Sequence, residues 1–392
     1  MYEQDTDAPA PSEVLARFVG LGLFTGAPQH ENFARMAEIL PSARMEPSSQ
    51  PREWPAGEPV EAPTTYVFDG EDRTFEEFFS ATDTSALLML QAGKVRYERY
   101  ALTGGTQVPW LSASVAKSFV SALVGIAIDE GHIAGVDDLM SDYLSVQPGS
   151  AYDGVSIKDV LQMSSGARWN EDYSDPESDI YGLSLAMTGT GSLESFVGAM
   201  SRESEPGTIC RYSSGDTQAL GLLLIKATGR SVTDYMQEKL CEPLGMQSPG
   251  YWIVDGEGAE ATFAMLNLTA RDFARIGELY RNGGQVDGAQ VVPAEWVRTS
   301  TTVQAPHLEP GKPIVGDHHF GLGYGYQWWL PAGDDGEFSA IGVYNQFVYV
   351  DPSREVVIVK LSANHEYGTT PDESTNRDHE TVDFLRALAR QV

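Results

Sequence analysis

The sequence predicts an α+β fold: an antiparallel sheet flanked by helices and drawn from both ends of the chain, with a helical lobe inserted between them. Three observations carry this reading. Ala86 to Gln91 and Lys94 to Tyr100 are strand-like runs separated by Ala92-Gly93, a hairpin signal. From about 137 to 285 the apolar spacing is mainly helical. Short β-rich runs return at 338–343, 347–350 and 356–361, with Asp351-Pro352-Ser353 as a turn. Strands on both sides of a helical middle imply two lobes. The first takes 1–136 and 286–392, led by an N-terminal arm over 1–64; the second takes 137–285. The cleft between them is a natural site.

Each element has its own signal. Residues 41–64 are rich in Pro, Ser and Glu, and read as an extended arm over the surface. Ser114 to Glu130 is apolar nearly all round and stops at Gly131, which predicts a buried helix closed by a glycine at C′. Helical runs follow at 157–163, 193–200, 216–228 before Gly229, 232–244, and 269–281 before Gly283-Gly284. A last helix covers roughly 381–390.

Composition excludes several function classes. The 392 residues carry a net charge of −30, with 42% hydrophobic and 10% aromatic content. Such a surface repels nucleic acid and anionic membrane, and its charges are dispersed rather than gathered in an acidic tail. It suits a high-salt or marine source and an ordinary acidic enzyme equally. No apolar run is long enough to span a membrane. The start of the chain lacks a basic and an apolar region, so a cytoplasmic location is the default expectation. Cys210 and Cys241 could form at most one disulfide, which is no framework. A small-molecule substrate is the expected partner, no cofactor is called for, and a homodimer is left open.

The chemistry begins at Ser114-Val115-Ala116-Lys117. Residues i and i+3 of a helix share a face, so a hydroxyl and an amine there point into one space, as a nucleophile and its proton acceptor must. Alone the pair is weak. A second candidate is Arg211-Tyr212-Ser213-Ser214-Gly215-Asp216, after the turn at Glu205-Pro206-Gly207 and before a helix beginning near Asp216. As a phenolate beside a lysine ammonium, Tyr212 could take the Ser114 proton and pass it to a leaving group; the alternative is a core tyrosine. A third is Phe338 to Gln346, where a strand with a glycine can present a backbone N–H beside Ser114 as half of an oxyanion hole, the N–H of Ser114 being the other half.

Together, Ser-x-x-Lys, Tyr-x-Ser about a hundred residues on, and a late glycine-bearing strand resemble the serine β-lactamase and penicillin-binding superfamily. Order and spacing are similar to class C β-lactamases and family VIII carboxylesterases. Trp169 to Pro176, Tyr212-Ser213-Ser214, Thr269 to Arg275, Gln327-Trp328-Trp329 and Gly342 to Gln346 look like the 6-aminohexanoate-dimer hydrolase branch. The resemblance covers about residues 85 to 365 and implies a β-lactamase/transpeptidase-like fold. It implies Ser114 as the acylated nucleophile, Lys117 as its base and Tyr212 as the acid/base for the leaving group. Ser214 is to bond the lysine or substrate, and Val343 and Ser114 supply the oxyanion donors. Tyr173, Trp329 and Gly342 lie against substrate. The implied activity is hydrolysis, through an acyl-enzyme, of linear amides such as 6-aminohexanoate oligomers, of short-chain esters, or of both.

Two departures matter. Where the lactamases carry a cationic or histidine-led triplet, this chain has Ala340-Ile341-Gly342. The cation that grips a β-lactam or peptide carboxylate is absent, which disfavours β-lactamase and D,D-peptidase activity. Asn345 stands where glycine is more common, which bears on loop and pocket width. Among rival classes, a Ser-His-Asp hydrolase lacks its Gly-x-Ser-x-Gly elbow. A metal hydrolase lacks ligand spacing, His318-His319 being adjacent. A non-catalytic binding protein on the same fold leaves Ser114, Lys117 and Tyr212 without employment. Asp179 reads as a loop charge or as a contact for a substrate ammonium.

Overall fold

The computed structural model describes residues 9–315, 318–319, 321–333 and 335–392; the side chains of the adjacent pair His318-His319 lie outside what is described. The α+β reading holds. A seven-stranded antiparallel sheet runs Leu322–Tyr324, Trp329–Pro331, Phe338–Gly342, Gln346–Asp351, Val356–Ser362, Thr84–Gln91, Lys94–Tyr100. The two ends of the chain join where Val356–Ser362 pairs with Thr84–Gln91, with Ile358 opposite Met89.

Thr84–Gln91 is buried almost throughout because helices cover both faces of the sheet. The alternation of a strand decides which residue meets which helix. Leu88 and Leu90 face the core that includes Phe119 and Phe273. Leu87 and Met89 face a second core with Phe75, Phe78 and Phe384. Helix Ala270–Arg281 lies on the first face so closely that a Cβ on Gly277 would stand 2.6 Å from a Val357 methyl.

Helix Ala116–Asp129 is buried on all sides and closes at Gly131, whose φ of +77° is the left-handed value of a C′ glycine. The serine just before it stands in a short 3₁₀ turn, Ala113–Val115. Helix Ser214–Thr228 begins two residues earlier than the sequence pattern suggests, because the Ser213 hydroxyl accepts from Asp216 N at 3.2 Å and caps it. The predicted helix over 232–244 is interrupted by a π turn, Gln237–Cys241, between Val232–Met236 and Glu242–Leu244. The last helix is Asp378–Ala389.

The chain also holds elements that the pattern does not announce. Ser42–Met45, Gly250–Ile253, Leu266–Leu268 and Trp110–Leu111 make a second antiparallel sheet. Strands of two to four residues are too short for a period-two signal to register. This sheet ends beside Ser112, whose backbone N–H donates to Leu266 O at 2.7 Å, and so aims the turn that carries Ser114. The arm contains helix Pro11–Gly20 before its extended portion, which runs past the edge strand through Gly57 N–Val95 O and Val60 N–Arg96 O bonds of 2.8 and 2.9 Å. Cys210 and Cys241 are both buried free thiols. No described helix is long and apolar enough to cross a membrane.

Candidate active site

Ser114 sits at the head of the buried helix, where the chain turns sharply. Ala113 before it has φ +43°, in the left-handed region, a conformation that costs an L-residue about 1–2 kcal/mol. Strand Phe338–Gly342 passes directly against this turn. A Cβ on Gly342 would lie 2.8 Å from Ser114 N and 2.8 Å from Ser112 O, so only glycine lets the strand approach. Ser114, Gly342 and Val343 line one cavity with Tyr173, Tyr212 and Trp329.

Lys117 follows one helical turn later, 1% exposed. Its Nζ donates to Ser114 Oγ at 2.9 Å, Ser214 Oγ at 3.1 Å and Phe263 O at 2.6 Å. Burial pushes its ammonium down to about 8, against the Glu171 carboxylate, which favours the charged form. Tyr212 is buried beside it, with the lysine nitrogen 5.1 Å from the ring centroid. Burial first, then the Glu171 carboxylate, hold its phenol well above 10, while a hydrogen bond with Ser114 pulls the other way. Its ring stacks on Trp329 at 5.1 Å. The structure thus brings together Ser114, Lys117, Tyr212 and Ser214, with Tyr173, Trp329, Gly342 and Val343 around them.

Glu171 is the polar hub that sequence reasoning passed over. It accepts from Ser214 Oγ at 2.6 Å, Ser214 N at 3.0 Å, Tyr173 OH at 2.9 Å, and Trp169 Nε1. The signal was present: Trp169, Glu171 and Tyr173 alternate, and in extended chain such residues share a side. Burial, then the Glu171 carboxylate, raise the Tyr173 phenol well above 10, so both phenols at the cleft are neutral. Asp179 belongs elsewhere. It pairs with Arg168 at 2.8 Å, accepts from Asn170 N at 2.8 Å, and lines neither cavity at Ser114.

Asn345 fits without glycine. It and Tyr344 take φ of +63° and +64°, a pair of positive φ values that matches the twist of a hairpin turn. The Asn345 amide donates to Asn376 O at 2.7 Å and Asp378 Oδ1 at 3.0 Å.

A serine at a helix start, a buried lysine of lowered basicity and a tyrosine in one cleft of this α+β fold fit a hydrolase of the beta-lactamase kind. A family model described as Beta-lactamase matches residues 72–382, and the chain belongs to the beta-lactamase family. It is 30% identical over 360 residues to 6-aminohexanoate-dimer hydrolase of Paenarthrobacter ureafaciens, covering 88% of this chain and 87% of that one. A candidate 6-aminohexanoate-dimer hydrolase from Bacillus anthracis superposes with a TM-score of 0.81 at 23% identity, covering 92% and 93% of the two chains. A family VIII carboxylesterase superposes at 0.61 with 14% identity, covering 81% and 96%. These two structures show the fold.

Proposed function

We propose that the chain is a serine hydrolase that forms an acyl-enzyme on Ser114 and cleaves linear amides, such as 6-aminohexanoate oligomers, and short-chain carboxylic esters. The observation that carries this reading is the buried Lys117 amine 2.9 Å from Ser114 Oγ. The neutral amine takes the hydroxyl proton as Ser114 attacks the carbonyl, and the backbone N–H groups of Ser114 and Val343 receive the oxyanion. The C–N or C–O bond then breaks as Tyr212, a neutral phenol in contact with Ser114, gives its proton to the leaving group. The lysine ammonium beside the ring offsets the phenolate charge until the proton returns. Water repeats the sequence in reverse to release the acid. In this cycle the lysine is the base and the tyrosine the acid, rather than the phenolate relay that the sequence allows.

Lys117 sets the pH dependence. With a pKa of about 8, its reactive neutral form grows tenfold per pH unit below 8. We expect kcat/KM to rise with unit slope from pH 6 and to level off above about 8. A profile flat across pH 6–8 contradicts lysine as the base. Tyr212→Phe separates the two substrate types. An amide nitrogen must be protonated to leave, so an anilide should lose about 10²–10⁴-fold, and the p-nitrophenyl ester of the same acid much less. Equal losses contradict the acid role.

Substrates held by a cation on their carboxylate, as β-lactams are, fit poorly. Ala340 and Ile341 occupy the place of the carboxylate-gripping cation, and the mouth cavity is lined by Glu171, Glu373 and Asp378. Parallel assays on short p-nitrophenyl esters, the 6-aminohexanoate dimer and nitrocefin test the proposal: turnover of the esters or the dimer and none of nitrocefin supports it, and nitrocefin as the preferred substrate overturns it.

A further inference from the structure

The space around Ser114 has two arms that meet at Tyr173. The mouth arm holds Tyr212, Trp329 and the three carboxylates. The inner arm, about 60 Å³, runs past Leu111, Phe263 and Met265 to Leu23 and Phe24. Next to it lies a chamber of about 470 Å³ walled by Phe18, Val19, Leu23, Phe24, Ile180 and Leu185. Leu23, Phe24, Tyr173, Ile180 and Ser184 line both spaces, so the two adjoin. In a chain of net charge −30, neither wall contains a carboxylate, amine, guanidinium or imidazole. Val19, 65% exposed, and Leu185, 39% exposed, stand apolar on the chamber wall.

The N-terminal segment, which precedes the residues matched by the family model, builds this space. Helix Pro11–Gly20 packs so closely on the π turn Ala186–Thr190 that a Cβ on Gly189 would lie 2.9 Å from the Pro11 ring. Phe24 is inserted between Tyr173 and Tyr344, with centroids at 4.4 and 5.1 Å, and its N–H donates to Tyr344 OH at 2.8 Å. It holds φ +60° to do so. A β-carbon on Gly368 would meet the Phe24 ring at 2.7 Å, so the chain leaves room for the ring.

We propose that the inner arm and chamber bind the acyl chain of the substrate and favour one that is uncharged and apolar, of aliphatic length beyond acetyl, over one ending in an ammonium, so that among the substrates proposed above esters and amides of uncharged acids are turned over faster than the 6-aminohexanoate dimer. The proposal rests on acylation at Ser114. Its direction follows from Tyr212, which lines only the mouth arm. The leaving group must reach that phenol, so the other substituent of the carbonyl points into the inner arm. An alkyl chain there leaves water for apolar walls, whereas an ammonium would lose its hydration with no counter-charge to replace it.

The test is kcat/KM of the full chain on p-nitrophenyl acetate, butyrate, hexanoate, octanoate and 6-aminohexanoate, with fluorophosphonate labelling of Ser114 in parallel. We expect a rise of up to about fourfold per added methylene, equivalent to about 0.8 kcal/mol, and the 6-aminohexanoate at least tenfold below the hexanoate. Ser184→Phe, which fills the shared wall, should lower the octanoate-to-acetate ratio at least tenfold. Val19→Asp, a change at an exposed position that spares the core, should lower the same ratio and raise the relative rate of the ammonium-ended ester. A labelled enzyme with a flat series, or with 6-aminohexanoate preferred, overturns the acyl-chain proposal and leaves the serine mechanism standing. An unlabelled, inactive Ser114 overturns both.

Discussion

Replacing Ser114 by alanine is expected to lower kcat/KM on any ester or amide substrate by on the order of 10⁴-fold or more, with little loss of stability. The large effect follows from the role proposed for Ser114, whose hydroxyl oxygen would bond to the acyl group; what survives such a loss is the binding and oxyanion stabilisation alone. The small stability effect follows from the remaining partners. Lys117 Nζ keeps Ser214 Oγ at 3.1 Å and Phe263 O at 2.6 Å. The variant therefore forfeits two buried hydrogen bonds, to Lys117 and to Tyr212, about 1 kcal/mol each. Thermal melts should place the variant close to the parent, so that lost rate reads as lost chemistry. A variant that unfolds would assign the serine a structural task instead.

Gly342→Ala should cost about 10²–10³-fold in kcat while leaving the ester's KM less affected. The added methyl would stand 2.8 Å from Ser114 N and from Ser112 O, and 3.0 Å from the Ala113 Cβ. Two of these three are backbone atoms, and no rotamer change relieves them. Strand and serine turn must move apart, and the pair of N–H groups assigned to the oxyanion separates with them. Losing one such donor costs that much rate in serine hydrolases. Unlike the serine variant, this one should still be labelled at Ser114, only more slowly. Unchanged kcat would mean that the oxyanion is held elsewhere.

The parts of this molecule that were legible in the sequence share a physical reason. Ser114 and Lys117 are three apart on one helix, so local geometry alone puts them together. The hairpin at Ala92-Gly93 and the strand runs near the end have apolar patterns long enough to register, and the sheet they form is the one predicted. Tyr212 and Ser214 could be placed at a helix start, but only resemblance linked them to a lysine about a hundred residues away. What escaped is what depends on distant backbone or on packing. The Phe263 carbonyl that accepts from Lys117 carries no residue-type signal, since every residue has a carbonyl. Glu171 sat in a quoted motif as one acid among many. Phe24 lies in a segment without strong periodicity, and its insertion between two tyrosines is set by tertiary contact. Asp179, read as a loop charge or an ammonium contact, pairs with Arg168.

The proposed function rests on acylation of Ser114. The direct measurement is intact mass after brief reaction with a fluorophosphonate, followed by peptide mapping, on the parent and the Ser114→Ala chain. We expect one adduct on the parent, on the peptide containing Ser114, with labelling faster at pH 8 than at pH 6, and none on the variant. An adduct on another residue, or equal labelling of both chains, would contradict it.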